Sequence, residues 1–129
     1  GDLLISRMGT VGKVCVVPDD APEGIVSYHL IRVRTAGHVC NPWFLAAFLK
    51  AAEVAGLGLS RSAKGAIMGG INAAIVASFP VPVPPVALQN EFASKVAQIR
   101  ELEAQQASCR RRLDNLFESV THSAFAGEP

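Results

Sequence analysis

The chain has 129 residues, half of them hydrophobic, and a formal net charge of +1 at pH 7. This length predicts one domain plus an additional element rather than two independent cores. No uncharged apolar run reaches the roughly 18 residues of a membrane span, and the first residues, GDLLISRMG, lack the basic leader of a signal peptide. We therefore expect a cytoplasmic protein with no membrane segment, whose excess apolar surface is buried against another protein.

Cysteine and histidine spacing argues against a metal site. The residues concerned are Cys15, Cys40, Cys109, His29, His38 and His122. The cysteines lie 25 and 69 residues apart, which fits neither a disulfide framework nor a zinc site, so we expect free, buried thiols. The histidines do not cluster with carboxylates or cysteines, and only His38 is retained as a possible DNA contact. We expect no catalytic residue, no metal and no cofactor.

The first third of the chain has the pattern of a small sheet. Residues 2–6 (DLLIS) and 13–17 (KVCVV) predict two paired strands, and Gly9 and Gly12 predict the turn between them. Residues 25–34 (IVSYHLIRVR) predict a long third strand. Because the chain opens directly on a strand and has few strands in all, it resembles the C-terminal half of a larger unit.

A helix and two less regular segments follow. Residues 41–53 predict a helix, with Asn41 as the N-cap and Pro42 at the first helical position. Residues 56–70, which are rich in glycine, predict a flexible polar linker. Residues 71–84 predict a short strand that runs into a proline-rich segment.

A long helix is predicted after Pro85, because no proline or glycine interrupts residues 86–126. Mostly apolar residues then recur at alternating intervals of three and four, and this heptad seam comprises Ile99, Leu102, Gln106, Cys109, Leu113, Leu116 and Val120. Leu88 and Phe92 extend it upstream. A narrow seam of this kind favours a coiled coil, whereas an amphipathic helix packed on its own domain would show a wider stripe.

The distribution of charge predicts that two such helices pair in antiparallel orientation. An axis between residues 107 and 108 brings Ile99 opposite Leu116, Leu102 opposite Leu113, and Gln106 opposite Cys109. Acidic residues at 101 and 103 then approach the basic run 110–112, whereas a parallel pair places like charges together. We therefore expect a homodimer through antiparallel helices, with Gln106 helping to fix the register.

Three stretches together resemble the specificity subunit of type I restriction-modification enzymes. These are GDLLISRMGTVGKVCVVPDD, GIVSYHLIRVR, and SFPVPVPPVALQNEFASKVAQIRELE with its continuation LDNLFESVTHSAFAGE. The most specific part is a P-x-P-P-x-x-x-Q-x-x-F motif, formed by Pro82, Pro84, Pro85, Gln89 and Phe92, with L-D-x-L-F at 113–117. The match covers most of the chain but only part of the usual subunit, which has two target recognition domains and two long helices.

The resemblance implies an α+β fold, in which a partial, small mixed-sheet target recognition domain (1–84) precedes a long C-terminal coiled-coil helix (85–122) and a tail (123–129). It implies a non-catalytic subunit that recognises double-stranded DNA and holds the methylation and restriction subunits through its helix. The missing half-domain and second repeat put sequence-specific reading by this chain alone in doubt.

Two segments are candidates for DNA contact. GTVGK (9–13) offers backbone amides and the side chains of Arg7, Thr10 and Lys13 to phosphates, although a tight hairpin turn also explains it and is slightly favoured. SRSAKG (60–65) offers hydroxyls and cations, with a solvated linker as the alternative. The candidates in it are Ser60, Arg61, Ser62 and Lys64. Arg32 and Arg34, on one face of the predicted third strand, complete the set.

Two rival functions remain open. The first is a protein-interaction or dimerisation module that does not read DNA. The second is a methyltransferase fragment, because NPWF (41–44) is similar to the N-P-P-[YFW] motif of DNA amino-methyltransferases. In that segment, N-capping by Asn41 and the position of Pro42 account for both residues without catalysis.

Overall fold

The computed structural model describes residues 1–63 and 70–127. It contains three strands, β1 (Leu3–Ser6), β2 (Val14–Val16) and β3 (Leu30–Val33), and four helices, α1 (Pro42–Val54), α2 (Leu59–Ala63), α3 (Ala73–Ser78) and α4 (Val86–Ala126). The chain forms two compact units, Gly1–Ala93 and Ser94–Pro129. The first two turns of α4 therefore belong with the first unit, beyond the predicted boundary at residue 84.

The sheet has the strand order β2-β1-β3, and both pairings are antiparallel. The α+β class is thus confirmed, but the expectation of a mixed sheet is wrong for the described residues. Both connections return the chain beside β1 through loops, so neither provides the helical crossover that parallel neighbours require. The β1–β2 turn contains Gly9 and Gly12 as predicted, both with positive φ.

The core lies on one face of this sheet. Leu3 stands opposite Val16 and Val33, and Ile5 opposite Val14 and Ile31. Because alternate residues of a strand point to the same face, these cross-strand pairs form one apolar layer. Four helical residues, Ala46, Leu49, Leu59 and Ala63, and Ile71 from the segment before α3 complete the core against it.

β3 is much shorter than the predicted strand 25–34. Residues 25–29 are exposed and lie outside the sheet, and the amide of Leu30 donates to the carbonyl of Ser27 in a turn. An alternating pattern becomes a strand only where a neighbour accepts its backbone hydrogen bonds. β1 ends at Ser6, which pairs with Leu30, so no partner strand remains for the preceding residues.

Residues 56–70 and 71–84 also differ from the sequence prediction. Within the described part of the first segment, α2 replaces the expected flexible linker, because Leu59 and Ala63, four residues apart, share a buried helix face. In the second segment, α3 replaces the expected strand. The side chain of Asn72 accepts a hydrogen bond from the amide of Ile75 at 2.9 Å and so caps α3.

The predictions for α1 and α4 are confirmed as helices. The side chain of Asn41 accepts hydrogen bonds from the amides of Trp43 and Phe44, and Pro42 occupies the first turn. α4 begins directly after Pro85 and continues to Ala126, four residues beyond the predicted end at 122. The cysteines are free as expected, but the prediction of burial is wrong for Cys15 and Cys109, which are exposed, while Cys40 is half-buried.

Candidate nucleic-acid interface and helix seam

Glu53 joins the β1–β2 loop to α2. Its Oε1 accepts a hydrogen bond from the backbone N–H of Ser60 at 2.9 Å, and its Oε2 accepts one from the Ser60 hydroxyl at 2.6 Å. A Cβ atom on Gly12 or Gly58 would collide with the Glu53 side chain. Both glycines therefore leave the room that Glu53 occupies, and Glu53 places the two segments predicted to contact DNA side by side.

A cavity of about 440 Å³ lies beside this junction, and we call it the Glu53 cleft. Its lining consists of Val11, Gly12, Lys13, Val14, Lys50, Glu53, Val54 and Ser60. Lys13 and Ser60, which come from the two separate segments predicted from the sequence, thus meet at one cleft. Sequence reasoning missed Lys50, although its spacing of three residues from Glu53 places both on one face of α1.

The two lysines of the Glu53 cleft are exposed. Among the ion pairs formed by the described residues, none involves Lys13 or Lys50. Glu53 lines the same cleft but directs both carboxylate oxygens to Ser60. The cleft therefore presents two ammonium groups and one carboxylate that is already hydrogen-bonded.

Arg7 connects three segments of the first unit. Its backbone N–H donates to the carbonyl of His29 at 2.9 Å, and its own carbonyl accepts from the N–H of Ile71 at 3.0 Å. Its Nη1 donates to the carbonyl of Tyr28 at 3.5 Å, and its buried Nε has no hydrogen-bond partner among the described residues. Thr10 is exposed, and its carbonyl accepts a hydrogen bond from the Ser6 hydroxyl.

Arg32 and Arg34 lie near Asp2 rather than at the Glu53 cleft. Arg34 donates from Nε and Nη2 to the two oxygens of Asp2 at 2.9 and 3.0 Å, and Arg32 Nε lies 3.6 Å from the same carboxylate. The hydrogen bond from Arg34 lowers the pKa of Asp2, and the same contact raises the pKa of Arg34. One carboxylate thus offsets part of the charge that the sequence assigned to DNA contact.

Of the remaining predicted contacts, Arg61 and Ser62 are exposed on α2. Ser60 is half-buried, and its hydroxyl is held by Glu53. Lys64 lies outside the described residues. The accessible polar groups that the structure places near one another are thus those of the β1–β2 loop and the adjoining Glu53 cleft.

Gln89 fixes the start of α4 on the start of α1. It is fully buried, its Oε1 accepts from the N–H of Asn41 at 2.8 Å, and its Nε2 donates to the carbonyls of Val39 and Pro84 at 3.0 and 2.7 Å. Beside it, Asn41 Nδ2 donates to Asn90 Oδ1 at 2.7 Å. Capping and the contact with Asn90 engage both polar groups of the Asn41 side chain, so Asn41 has a structural role at the start of α1.

The predicted heptad seam lies on α4; we call it the α4 seam, and it is exposed along residues 99–120. The exposed fractions of its apolar side chains lie between 55% and 61%, and they belong to Ile99, Leu102, Leu113, Leu116 and Val120. Gln106 and Cys109 are exposed as well. Upstream, Leu88 is exposed, while the ring of Phe92 packs edge-on against Phe44 at a centroid distance of 5.8 Å. Phe92 therefore already has a partner in the first unit.

Comparison with protein-family models, curated proteins and solved structures finds no match. The resemblance to type I specificity subunits therefore stays a prediction that rests on the motifs quoted above. Within residues 1–63 and 70–127, no group of histidine, cysteine and acidic side chains is arranged to hold a metal ion. Across the same residues, no helix combines the length and apolarity needed to cross a bilayer.

Proposed function

We propose that the chain is a non-catalytic assembly and DNA-recognition module of the type I restriction-modification kind. The observation that supports this most directly is the α4 seam, an apolar row that stays exposed on a helix free of proline and glycine. Exposed apolar surface of this extent is typical of an interface. The motif resemblance supplies the context, in which the helix pairs with a second helix and holds methylation and restriction subunits on cytoplasmic DNA.

The seam is compatible with an antiparallel pair of two copies. Assigning Ile99 to heptad position a places Leu102 at d, and an axis between residues 107 and 108 then pairs each a residue with a d residue of the second copy. Glu103 and Arg110 both occupy position e in this register, so each lies beside the opposite charge of the other copy. A parallel pair would instead leave Gln106 beside Gln106 and Cys109 beside Cys109.

The free energy gained by burying the α4 seam can be estimated from its exposed side chains. Five apolar side chains from each copy are a little more than half exposed, and fully burying such a side chain contributes about 1.5–3 kcal/mol. Burying the exposed part of ten side chains therefore contributes on the order of 10 kcal/mol. This value is comparable with the association cost of about 4–15 kcal/mol, so pairing requires nearly complete burial of the seam.

Disulfide trapping tests the pairing and its direction. In a background where Cys15 and Cys40 are replaced by serine, Gln106→Cys should form a disulfide-linked dimer with Cys109 under mild oxidation. The same background with Gln106 retained should not crosslink, because the two Cys109 residues are not opposite each other. Ser108→Cys is the matched control, since position c faces away from the seam.

Two outcomes would contradict the proposed pairing. Efficient crosslinking through Cys109 alone would indicate a parallel dimer. A monomer at micromolar concentration, measured by light scattering for the reduced chain, would show that the seam does not pair two copies. In the second case the α4 seam would have to be covered by a different helix.

The DNA-recognition half of the proposal rests on the β1–β2 loop, the Glu53 cleft and α2. These segments bring Lys13, Lys50 and Arg61 onto one unit, and exposed cations contact phosphates in sequence-independent binding. The test is duplex binding across a salt series, for which phosphate contacts predict a linear decrease of log K with log salt concentration. Duplex binding that does not depend on salt concentration would contradict the proposed DNA recognition.

A protein-interaction module without DNA reading is the second candidate. Two contacts favour it, since Asp2 offsets Arg32 and Arg34, and Glu53 holds Ser60. Both contacts occupy polar side chains that the sequence predicts to contact DNA. A chain that dimerises through α4 but shows no duplex binding at 50 mM salt would identify this function.

A further inference from the structure

We propose that the Glu53 cleft binds a single phosphate group between Lys13 and Lys50, and that Lys50 is therefore a ligand-binding residue. This inference rests on the proposed DNA recognition for its source of phosphate, a backbone phosphodiester. A free phosphate has the same chemistry and is treated as the other source. Lys13 comes from the end of the β1–β2 loop and Lys50 from α1, and the two line one cavity of about 440 Å³.

The charge of the cleft favours an anion. Its lining holds two lysines and one glutamate. The glutamate receives two hydrogen bonds from Ser60, and among the described residues neither lysine forms an ion pair with it or with any other acid. The lining therefore carries a net charge of +1, and cationic groups at a concave surface attract an anion more strongly than the same groups on a flat one, because the low-dielectric wall focuses their field.

The walls of the cleft support the same conclusion. Val11, Val14 and Val54 supply apolar surface on its sides, and low-dielectric surface beside a charged group strengthens electrostatic attraction. The volume lies within the range of about 300–1,000 Å³ that is typical of small-molecule pockets. A phosphodiester and part of its sugar fit such a space without displacing the Glu53–Ser60 pair.

The backbone around the cleft is held in place. Gly12 donates its N–H to the carbonyl of Ser6 at 3.0 Å, and the N–H of Lys13 donates to the Ser6 hydroxyl at 2.9 Å. On the other side, the N–H of Ser60 is fixed by Glu53. The amide groups of Gly12 and Ser60 are therefore engaged, and the proposed site binds phosphate through the two lysine side chains rather than through a backbone nest.

Salt-dependent duplex binding provides the main test. Each phosphate contact contributes about −0.9 to the slope of log K against log salt concentration. Lys13→Gln and Lys50→Gln should each weaken binding and reduce the magnitude of the slope by at most about 0.9, and the double variant should lose about 0.9 in total rather than 1.8, because both lysines share one phosphate. Lys95→Gln, which removes one positive charge in residues 94–126, is the control and should leave the slope as in the wild type.

A second measurement separates the two sources of phosphate. In two-dimensional NMR spectra, inorganic phosphate should shift the amide signals of Gly12 and Ser60 in the wild type, and the shifts should disappear in the double variant. This arm does not require DNA. If the chain does not bind a duplex but these shifts occur, the proposed DNA recognition fails while the phosphate site is supported, with a free phosphate as its source.

Three results would overturn the inference. The first is an unchanged slope in both single variants and in the double variant, in a chain whose wild type binds DNA. The second is a loss of about 1.8 in the double variant, which would indicate two separate phosphates. The third is the absence of both duplex binding and phosphate-induced shifts.

Discussion

The buried side chain of Gln89 allows a quantitative prediction. Gln89→Ala removes three hydrogen bonds, one from the N–H of Asn41 and two to the carbonyls of Val39 and Pro84. A buried polar group left without a partner costs about 1–3 kcal/mol. Val39 is exposed and Asn41 and Pro84 are half-buried, so water replaces part of the loss and the low end of this range applies to each group.

We therefore expect Gln89→Ala to reduce the free energy of unfolding by about 3 kcal/mol, including the loss of packing around a side chain with no exposed surface. The higher helix propensity of alanine offsets only a few tenths of a kcal/mol of this loss. Gln89→Glu preserves the shape but turns a carboxylate oxygen toward two carbonyls, so it should be at least as destabilising at neutral pH.

Urea unfolding followed by tryptophan fluorescence measures this loss. Trp43 is the single tryptophan of the chain, and it lies two residues from Asn41, so its signal reports on the first unit. Gln98→Ala provides a matched control, because Gln98 is an exposed α4 residue for which a change within about 0.5 kcal/mol is expected. A loss of less than about 1 kcal/mol for Gln89→Ala would refute the argument that this residue holds the start of α4.

Two further predictions concern ionisable groups. Asp2→Asn should destabilise the chain at neutral pH, and its difference from the wild type should shrink as pH falls below about 4, because the Arg34 guanidinium lowers the pKa of Asp2 and this contribution is lost once Asp2 is protonated in the folded chain. Urea unfolding from pH 6 to 3 checks it, and a constant difference would contradict it. Burial raises the pKa of the Cys40 thiol, so mass spectrometry at pH 8 should show slower alkylation of Cys40 than of the exposed Cys15 and Cys109; equal rates would argue against its burial.

Local signals predicted the parts of the fold that local chemistry decides. Asn41 and Pro42 mark the start of α1, because capping and a fixed φ act within one turn. Pro85 marks the start of α4 for a related reason, since the following 41 residues contain no helix breaker. Each of these features depends on neighbours in the sequence, so the sequence alone was sufficient.

Features that depend on distant residues were missed. Gln89 contacts residues 48 and 50 positions earlier, and no periodicity predicts such a pairing. Arg34 faces Asp2 across 32 positions, so the sequence showed a free cation where the fold has an ion pair. β3 was overextended for a similar reason, because the pattern of residues 25–29 cannot reveal that β1 ends too early to pair with them.

The candidate site was predicted in part. Lys13 and Ser60 were chosen from separate segments, and the structure brings them to one cleft. Glu53, which contacts both segments, cannot be predicted as a site residue, because an acidic residue near the end of a helix has no distinctive pattern in sequence. Lys50 was missed because a lysine on a helix is ordinarily a solvated surface residue.

The Glu53 junction also limits how this surface can be redesigned. Gly12, Glu53, Gly58 and Ser60 fit one another closely. A larger residue at Gly58 would collide with the Glu53 backbone as well as its side chain, and one at Gly12 would meet the Glu53 carboxylate at a position whose φ is positive. Exposed neighbours such as Thr10, in the β1–β2 loop, are under no such restriction. A library aimed at altered ligand preference should therefore keep those four positions as an invariant frame and vary the exposed residues of the loop and of α2, so that new side chains are presented without loss of the junction.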